Sequence, residues 1–224
     1  MSKYILNIET STKACSVALF KNEELVLFKE SNTDNFSHSE KLLNFISEII
    51  EISPINLSAL DGVAVSMGPG SYTGLRIGVS TAKGLCYGLD IPLISISTLK
   101  AMTFGVIPKQ KADLYCPMID ARRMEVYSAI FDANNNQIRD IQADIIDSTS
   151  YKKELEKTVA FFGDGSEKVK EIIQNKNAIF ISNFYPSAKY MGSLSYQKYL
   201  ESDFEDLAYF EPFYLKDFVA GKKS

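Results

Sequence analysis

The sequence predicts an α/β protein with two similar lobes, in which each lobe is a mixed sheet with helices. Two observations lead to this prediction. Three strand patterns open the chain and are followed by alternating helix and strand patterns, and a similar order begins again after residue 105. The 224 residues, of which 46% are hydrophobic and 23% charged, have the composition of a folded globular protein. We expect a first lobe at residues 1–105 and a second lobe at residues 106–224, and we leave open whether the terminal segment returns to the first lobe.

The first lobe opens with three short strand patterns, at residues 4–8, 14–20 and 25–29. Because the polar segment at residues 21–24 has the length of a hairpin turn, we expect these strands to form an antiparallel meander. A helix follows, since Ser37 and Glu40 fit a capping box and apolar residues recur at helical spacing as far as residue 50. The helix ends before Pro54, because proline disfavours helical geometry in the residue that precedes it.

The rest of the first lobe alternates between strands and helices. We predict strands at residues 62–66 and 92–96, and helices at residues 71–88 and 98–104. The first of these strands is a short apolar run that ends at glycines, which is typical of a buried strand followed by a turn.

The second lobe begins with the same strand-rich pattern, less clearly marked. Strands are predicted at residues 113–119, 124–131, 137–146, 159–162 and 178–181. The first two flank residues 120–123, which have the length of a hairpin turn. Helices are predicted at residues 150–157, 166–175 and 187–199.

A glycine-rich turn at residues 68–70 joins a predicted strand to a predicted helix. Gly68 and Gly70 allow backbone angles that other residues resist, and the amides that open the following helix could bind an anion. The turn is not a Walker loop, because no Gly-Lys-Ser/Thr stands at the required spacing, and its glycines do not match the dinucleotide fingerprint. A structural turn and an anion site both remain open.

A face of small residues lies on the helix predicted at residues 71–88. Gly74, Gly78 and Ala82 are four residues apart, so they fall on one side of the helix. An interior glycine costs about 1 kcal/mol relative to alanine. Such a cost indicates that another backbone approaches this face closely. That backbone belongs either to the same lobe or to a second chain, and the spacing alone leaves both open.

The segment Gly68-Pro-Gly-Ser-Tyr-Thr-Gly-Leu-Arg-Ile-Gly78 is similar to the signature of the TsaB family, which is also called YeaZ. Other segments agree with the same family, at residues 8–12, 15–19, 38–43, 118–127 and 211–215. The resemblance covers the first 130 residues well and the rest of the chain loosely. It implies a two-lobed fold of the actin, Hsp70 and sugar-kinase (ASKHA) type.

The resemblance also implies a role in tRNA modification. TsaB-like chains pair with the related TsaD subunit, and the assembly also uses TsaE. TsaD is the subunit expected to transfer threonylcarbamoyl to N6 of adenosine 37 in ANN-decoding tRNAs. This chain would then be a non-catalytic subunit that organises TsaD, meets tRNA only through the complex, and forms a homodimer when alone. The residues expected at the partner or dimer interface are His38, Leu42, Tyr72, Gly74, Leu75, Gly78, Val79 and Ala82.

The same resemblance gives expectations about metal and nucleotide binding. TsaD-like relatives hold a metal with two histidines and an aspartate, whereas this chain has one histidine, so we expect no metal and no catalytic residue. No cofactor is expected to be required by this chain, but ATP or ADP could lie at the interface of the complex. In an actin-like fold, phosphate would meet Glu9, Thr10, Ser11 and Asp120. The alternative hypothesis is a stand-alone ATP-dependent phosphotransferase of this fold.

Charge and apolar patterning argue against other classes of protein. The net charge of −4 and the pI of about 5.2 disfavour autonomous tRNA binding. Cys15, Cys86 and Cys116 lie far apart with no metal-ligand spacing, which is typical of buried thiols in a reducing compartment. No apolar run approaches the roughly 20 residues that cross a bilayer, and the first residues lack a signal-peptide pattern. We therefore expect a cytoplasmic protein without membrane contact.

Overall fold

The computed structural model describes residues 2–32 and 38–216, without the side chain of His38. The first lobe contains β1 Tyr4–Glu9, β2 Cys15–Lys21, β3 Glu24–Ser31, α1 His38–Ile52, β4 Gly62–Gly68, α2 Tyr72–Leu89, β5 Leu93–Ser97 and α3 Thr98–Val106. The second contains β6 Leu114–Asp120, β7 Glu125–Phe131, β8 Gln137–Ile145, β9 Val159–Phe162, α4 Ser166–Lys170 and β10 Ala178–Ile181, and helix α5 Gly192–Glu201 follows it. Short 3-10 turns lie at Leu57–Ala59, Glu154–Glu156 and Ala188–Tyr190.

The two sheets have the same topology. The order of the first sheet is β3-β2-β1-β4-β5, and the order of the second is β8-β7-β6-β9-β10. In each sheet the first three strands in sequence pair antiparallel, and the remaining two add in parallel. The parallel connections need a crossover, which α1 and α2 supply in the first lobe. The predicted two-lobed fold, with a mixed sheet and helices in each lobe, is confirmed.

Each sheet buries both of its faces. One face of the first sheet packs against α1 and α2 through Leu42, Ile46, Val79 and Cys86. Its other face contacts Ala101 of α3 and residues of the terminal part of the chain, among them Ala188 and Met191. In the second lobe, α3 covers one face of the sheet through Leu99, Met102 and Val106, and the other face packs on Tyr151, Leu155, Val169 and Ile173. Helix α3 therefore lies between the lobes.

The chain returns to the first lobe after β10. Helix α5 packs on the first sheet through Leu194, Tyr196 and Tyr199, which lie against its buried residues. Further along, the Glu205 backbone amide donates to the Leu93 carbonyl oxygen at 2.9 Å, so the chain covers the free edge of β5. The backbone amide of Phe213 then donates to the Met67 carbonyl oxygen at 2.8 Å.

Most predicted elements are present, and three helices differ from the prediction. The helix predicted at residues 150–157 is a turn that contains only the 3-10 segment Glu154–Glu156, and that prediction is wrong. Tyr151 has a left-handed φ of 58° there, which no α-helix accommodates. The helix predicted at residues 166–175 ends at Lys170, and the one predicted at residues 187–199 consists of Ala188–Tyr190 and α5. The capping box residue Ser37 lies outside the described residues. Within the described ranges, no helix is long and apolar enough to cross a membrane.

Candidate functional site

The glycine turn after β4 is a site of close backbone packing. Gly68 has a φ of +113°, and a Cβ atom there would lie 2.7 Å from the carbonyl oxygen of Phe213. A Cβ atom on Gly70 would lie less than 3.0 Å from the carbonyl oxygen of Ser11. The same carbonyl accepts a hydrogen bond of 2.6 Å from the Ser71 amide. The turn is therefore built to approach two other segments of the chain, which favours its structural interpretation.

The glycine face of α2 points into the first lobe. Gly74, Leu75, Gly78, Val79 and Ala82 are all buried within the chain. A Cβ atom on Gly78 would lie less than 3.0 Å from Oγ1 of Thr10, and that hydroxyl donates to the carbonyl oxygen of Gly74 at 2.8 Å. The close approach to this face is therefore made by the side chain of Thr10, just after β1.

The predicted interface residues need correction for this reason. Because their faces are covered by the lobe itself, Gly74, Leu75, Gly78, Val79 and Ala82 are not available to another chain, and assigning them to a partner interface was wrong. Leu42 is also buried, on the side of α1 that faces the first sheet. Tyr72 is half-buried and remains a prediction. The side chain of His38 lies outside the described residues.

The opposite face of α2 is open. Gly84 and Gly88 have no atom of the described residues within 4 Å of the position of an added Cβ, Ser80 is exposed, and the Tyr87 ring is 83% exposed. Helix α1 lies beside α2 and exposes Leu43 by 60%. Sequence reasoning missed this face, although Ser80, Gly84 and Gly88 repeat the same spacing of four as the buried glycines. We call Leu43, Ser80, Gly84, Tyr87 and Gly88 the outer helical face.

Two of the residues predicted to bind phosphate are used inside the first lobe. Glu9 is fully buried, and its Oε1 accepts a hydrogen bond of 2.6 Å from the Ser11 amide, while Oε2 has no hydrogen-bond partner among the described residues. Burial raises the pKa of Glu9 above its ordinary value, against the hydrogen bonds from Ser11. The Thr10 hydroxyl is bonded to Gly74. Neither Glu9 nor Thr10 lines the cleft between the lobes, so predicting phosphate contacts for them was wrong.

The interlobe cleft has a volume of about 500 Å³. Ser11 and Asp120 both line it, and for them phosphate binding remains a prediction. Asp120 is engaged on several sides, because its Oδ1 accepts from the Arg122 amide at 2.9 Å and pairs with the Lys168 ammonium. Its own amide donates to Oδ1 of Asp164 at 3.1 Å, and burial raises the pKa of the Asp164 carboxyl.

The terminal segment forms one wall of this cleft. The Tyr214 ring lies 4.7 Å from the Tyr72 ring, and its hydroxyl accepts a hydrogen bond of 3.2 Å from Nε of Arg76. Two residues later Lys216 forms an ion pair with Glu125 at the start of β7. The segment therefore contacts both lobes and narrows the cleft from one side.

The described residues contain no group of three or more His, Cys, Asp or Glu side chains arranged to hold a metal ion. The three thiols are buried, and burial raises the pKa of Cys15 to about 11 and the pKa values of Cys86 and Cys116 to about 12. A thiol with such a pKa is protonated at neutral pH and is a poor nucleophile. The cysteines therefore act as small core residues.

Comparison with known proteins identifies the family. Residues 35–223 match the family model described as TsaD: tRNA N6-adenosine threonylcarbamoyltransferase. The tRNA threonylcarbamoyladenosine biosynthesis protein TsaB of Escherichia coli K12 is 30% identical over 98% of this chain and 97% of its own length. TsaB of Haemophilus influenzae is also 30% identical, over 98% of this chain and 96% of its own. The structure of YeaZ from Pseudomonas aeruginosa has the same fold, with a TM-score of 0.84 and 24% identity over 95% of this chain and all of that one. This chain therefore belongs to the TsaB family of tRNA threonylcarbamoyladenosine biosynthesis proteins.

Proposed function

We propose that this chain is a non-catalytic subunit required for threonylcarbamoyl modification of N6 of adenosine 37 in ANN-decoding tRNAs. It acts by binding and organising the catalytic TsaD subunit, together with TsaE. Its full-length similarity to proteins named for this biosynthesis carries the proposal. The single histidine of the chain supports a non-catalytic role, because a metal site of the TsaD type needs two.

The alternative, a stand-alone ATP-dependent phosphotransferase, has little support. That reaction would need Glu9 or Asp120 to position magnesium-bound water. Glu9 is buried under Ser11, and Asp120 is paired with Lys168. We therefore propose that this chain carries no cofactor of its own, that any ATP or ADP lies at the interface with TsaD, and that the protein works in the cytoplasm.

We propose the outer helical face as the surface that binds TsaD. A protein interface needs an exposed apolar anchor surrounded by residues that allow close approach. Tyr87 supplies a ring that is 83% exposed, and Gly84 and Gly88 leave open space beside it on α2. Leu43 adds an exposed apolar side chain on the neighbouring helix α1. The same face would pair two copies of this chain when TsaD is absent, and tRNA would be met only in the complex.

The substitution Gly84→Leu tests this assignment. A Cβ atom added at Gly84 has no described atom within 4 Å, and leucine favours a helix more than glycine by about 0.8 kcal/mol. We therefore expect the variant to unfold at a higher temperature than the wild type and yet to lose its complex with TsaD in size-exclusion light scattering. The matched control is Gln197→Leu, which adds the same side chain to the exposed side of α5.

The control should keep the complex intact. A Gly84→Leu variant that still binds TsaD as tightly as the wild type would contradict the outer helical face as the interface. If the wild-type chain forms no complex with TsaD at micromolar concentration, the proposed function itself is wrong.

A further inference from the structure

The connection between β6 and β7 has an unusual backbone. Arg122 has a φ of 68° and Arg123 a φ of 47°, so two consecutive residues with side chains adopt the left-handed conformation. Among the described residues, the other non-glycine positions with positive φ are isolated ones, and most are Asn, Asp or Ser. Asparagine and glycine accept this conformation most readily, whereas arginine is strained in it. Strained backbone of this kind is concentrated at functional sites, where a particular side chain is needed at a fixed position.

The strained connection is held in place by Lys168 of α4. Its ammonium donates to the carbonyl oxygens of Arg123 at 2.7 Å and Glu125 at 2.6 Å, and it also pairs with Asp120. The Arg122 amide donates to Oδ1 of the same aspartate at 2.9 Å. These contacts hold both ends of the connection in place, so the backbone that carries the two arginine side chains is fixed.

Two acidic groups beside the arginines are paired with other cations. Asp120 pairs with Lys168, and Glu125 pairs with Lys216. Arg122 and Arg123 are exposed, and neither forms an ion pair within the described part of the chain. Arg122 lines the interlobe cleft and Arg123 follows it in the chain, and neither guanidinium group has a hydrogen-bond acceptor among the described residues. In a chain of net charge −4, this is a local exception to the average.

We propose that Arg122 and Arg123 form a contact point for RNA phosphates, used by the tRNA when it binds the assembly. The inference rests on the proposed function, and it adds a direct RNA contact from this chain. A guanidinium presents a planar fork of donors that matches phosphate oxygens, and contacts to phosphates position an RNA without reading its sequence.

An acidic protein surface fits these arginines less well than RNA. A stable protein interface buries more than roughly 1,000 Å² around an apolar centre. The tip of the connection between β6 and β7, residues 121–124, offers two charged side chains, with Met124 beside them as a partly exposed apolar residue. Each phosphate contact contributes separately to the affinity for RNA, so a narrow surface with two arginines is enough to bind it.

The test is the salt dependence of tRNA binding by the assembly of this chain with TsaD and TsaE. The variant Arg122→Ala/Arg123→Ala should reduce the slope of log K against log salt by about 1.4 to 1.8, because each lost phosphate contact removes about 0.7 to 0.9. The matched control Lys152→Ala/Lys153→Ala removes two adjacent exposed charges from the same lobe and should leave the slope unchanged.

A second variant separates function from folding. In Arg122→Asn/Arg123→Gly, the new residues accept the left-handed backbone, so the melting temperature should rise by about 2–4 °C or more. The salt slope should fall as in the alanine variant. Higher stability together with weaker tRNA binding is a result that a purely structural role of the arginines would not give.

Two results would overturn the inference while leaving the proposed function intact. One is an assembly that forms and modifies tRNA with the same salt slope in the alanine variant and the lysine control. The other is a variant that binds TsaD more weakly without a change in the tRNA slope, since the tip would then contact protein. If the wild-type chain forms no assembly, both proposals fail together.

Discussion

Replacing Gly78 by alanine adds a single methyl group to α2, and the structure gives opposing contributions to its effect. Alanine favours the helix over glycine by about 0.8–1.0 kcal/mol. The new Cβ atom would lie less than 3.0 Å from Oγ1 of Thr10, a separation that real Cβ atoms essentially never show. Thr10 is fully buried, and its hydroxyl is bonded to Gly74, so it can move away only by breaking that hydrogen bond. Overpacking costs about 1–3 kcal/mol and a lost hydrogen bond about 1 kcal/mol.

We therefore expect Gly78→Ala to lower the free energy of unfolding by about 1–3 kcal/mol. Gly84→Ala, on the same helix, should raise it by about 1 kcal/mol, because no atom in the described part of the chain lies within 4 Å of the added one. Urea denaturation of the two variants beside the wild type measures the difference. If Gly78→Ala stabilises the chain as much as Gly84→Ala does, the glycine face does not pack against β1.

A double-mutant cycle identifies the clash itself. Thr10→Ala removes Oγ1, and the Cβ atom that remains lies 3.5 Å from the position of the added methyl group, which is an ordinary contact. In the Thr10→Ala background, Gly78→Ala should therefore cost little or stabilise the helix. Equal costs in both backgrounds would show that the steric argument is wrong.

Two further predictions concern buried charges. Because burial raises the pKa of Glu9, the folded state binds more protons than the unfolded state, so stability should fall as pH rises from about 4.5 toward the folded pKa. In thermal melts across this pH range, the Glu9→Gln variant should not show that fall in stability. If the wild type and the variant depend on pH in the same way, the buried Glu9 carboxyl is not the cause. Arg139→Ala should lower the free energy of unfolding by about 2–3 kcal/mol, because Arg139 pairs with the largely buried Asp144 at 2.7 Å. Burial opposes the ionised form of Asp144, but hydrogen bonds, led by the one from Arg139, outweigh burial and lower the pKa of the carboxyl. The stability that the pair contributes is therefore present above pH 3.8 and is lost as the pH falls further. Urea titrations of the wild type and the variant at pH 7 and below pH 3.8 measure both effects, and equal losses of stability at the two pH values would contradict this assignment.

The elements that sequence reasoning identified best were short apolar runs with clear ends. The strands Val159–Phe162 and Ala178–Ile181 agree with their predictions to the residue, because polar residues or a glycine bound each run. The segment at residues 150–157 misled the prediction for a tertiary reason. The Tyr151 hydroxyl donates to Oδ2 of Asp144 at 2.7 Å, and this contact with the second sheet holds the chain in a turn where local propensity favours a helix.

The partner surface could not be read from spacing. Helix α2 carries small residues at intervals of four on two faces, with Gly74, Gly78 and Ala82 on one, and Ser80, Gly84 and Gly88 on the other. Both faces satisfy the argument that glycine indicates close approach. The position of the sheet decides which face is buried, and that position depends on long-range pairing that no local pattern contains. The left-handed backbone at Arg122 and Arg123 had no sequence signal either, because arginine is not the residue that such a connection favours.

The return of the chain after β10 makes the first lobe discontinuous in sequence. Its sheet is formed by residues 4–97, but one face of that sheet is covered by Ala188, Met191 and helix α5, and its β5 edge by Glu205. During synthesis the first sheet therefore leaves the ribosome with this apolar face covered only in part, by α3, and the cover is completed only after about a hundred further residues, including the whole second sheet, have been made. The second lobe is therefore an insertion within the first. Because the last part of the chain completes the first lobe, the first lobe can finish folding only after the second lobe has been synthesised.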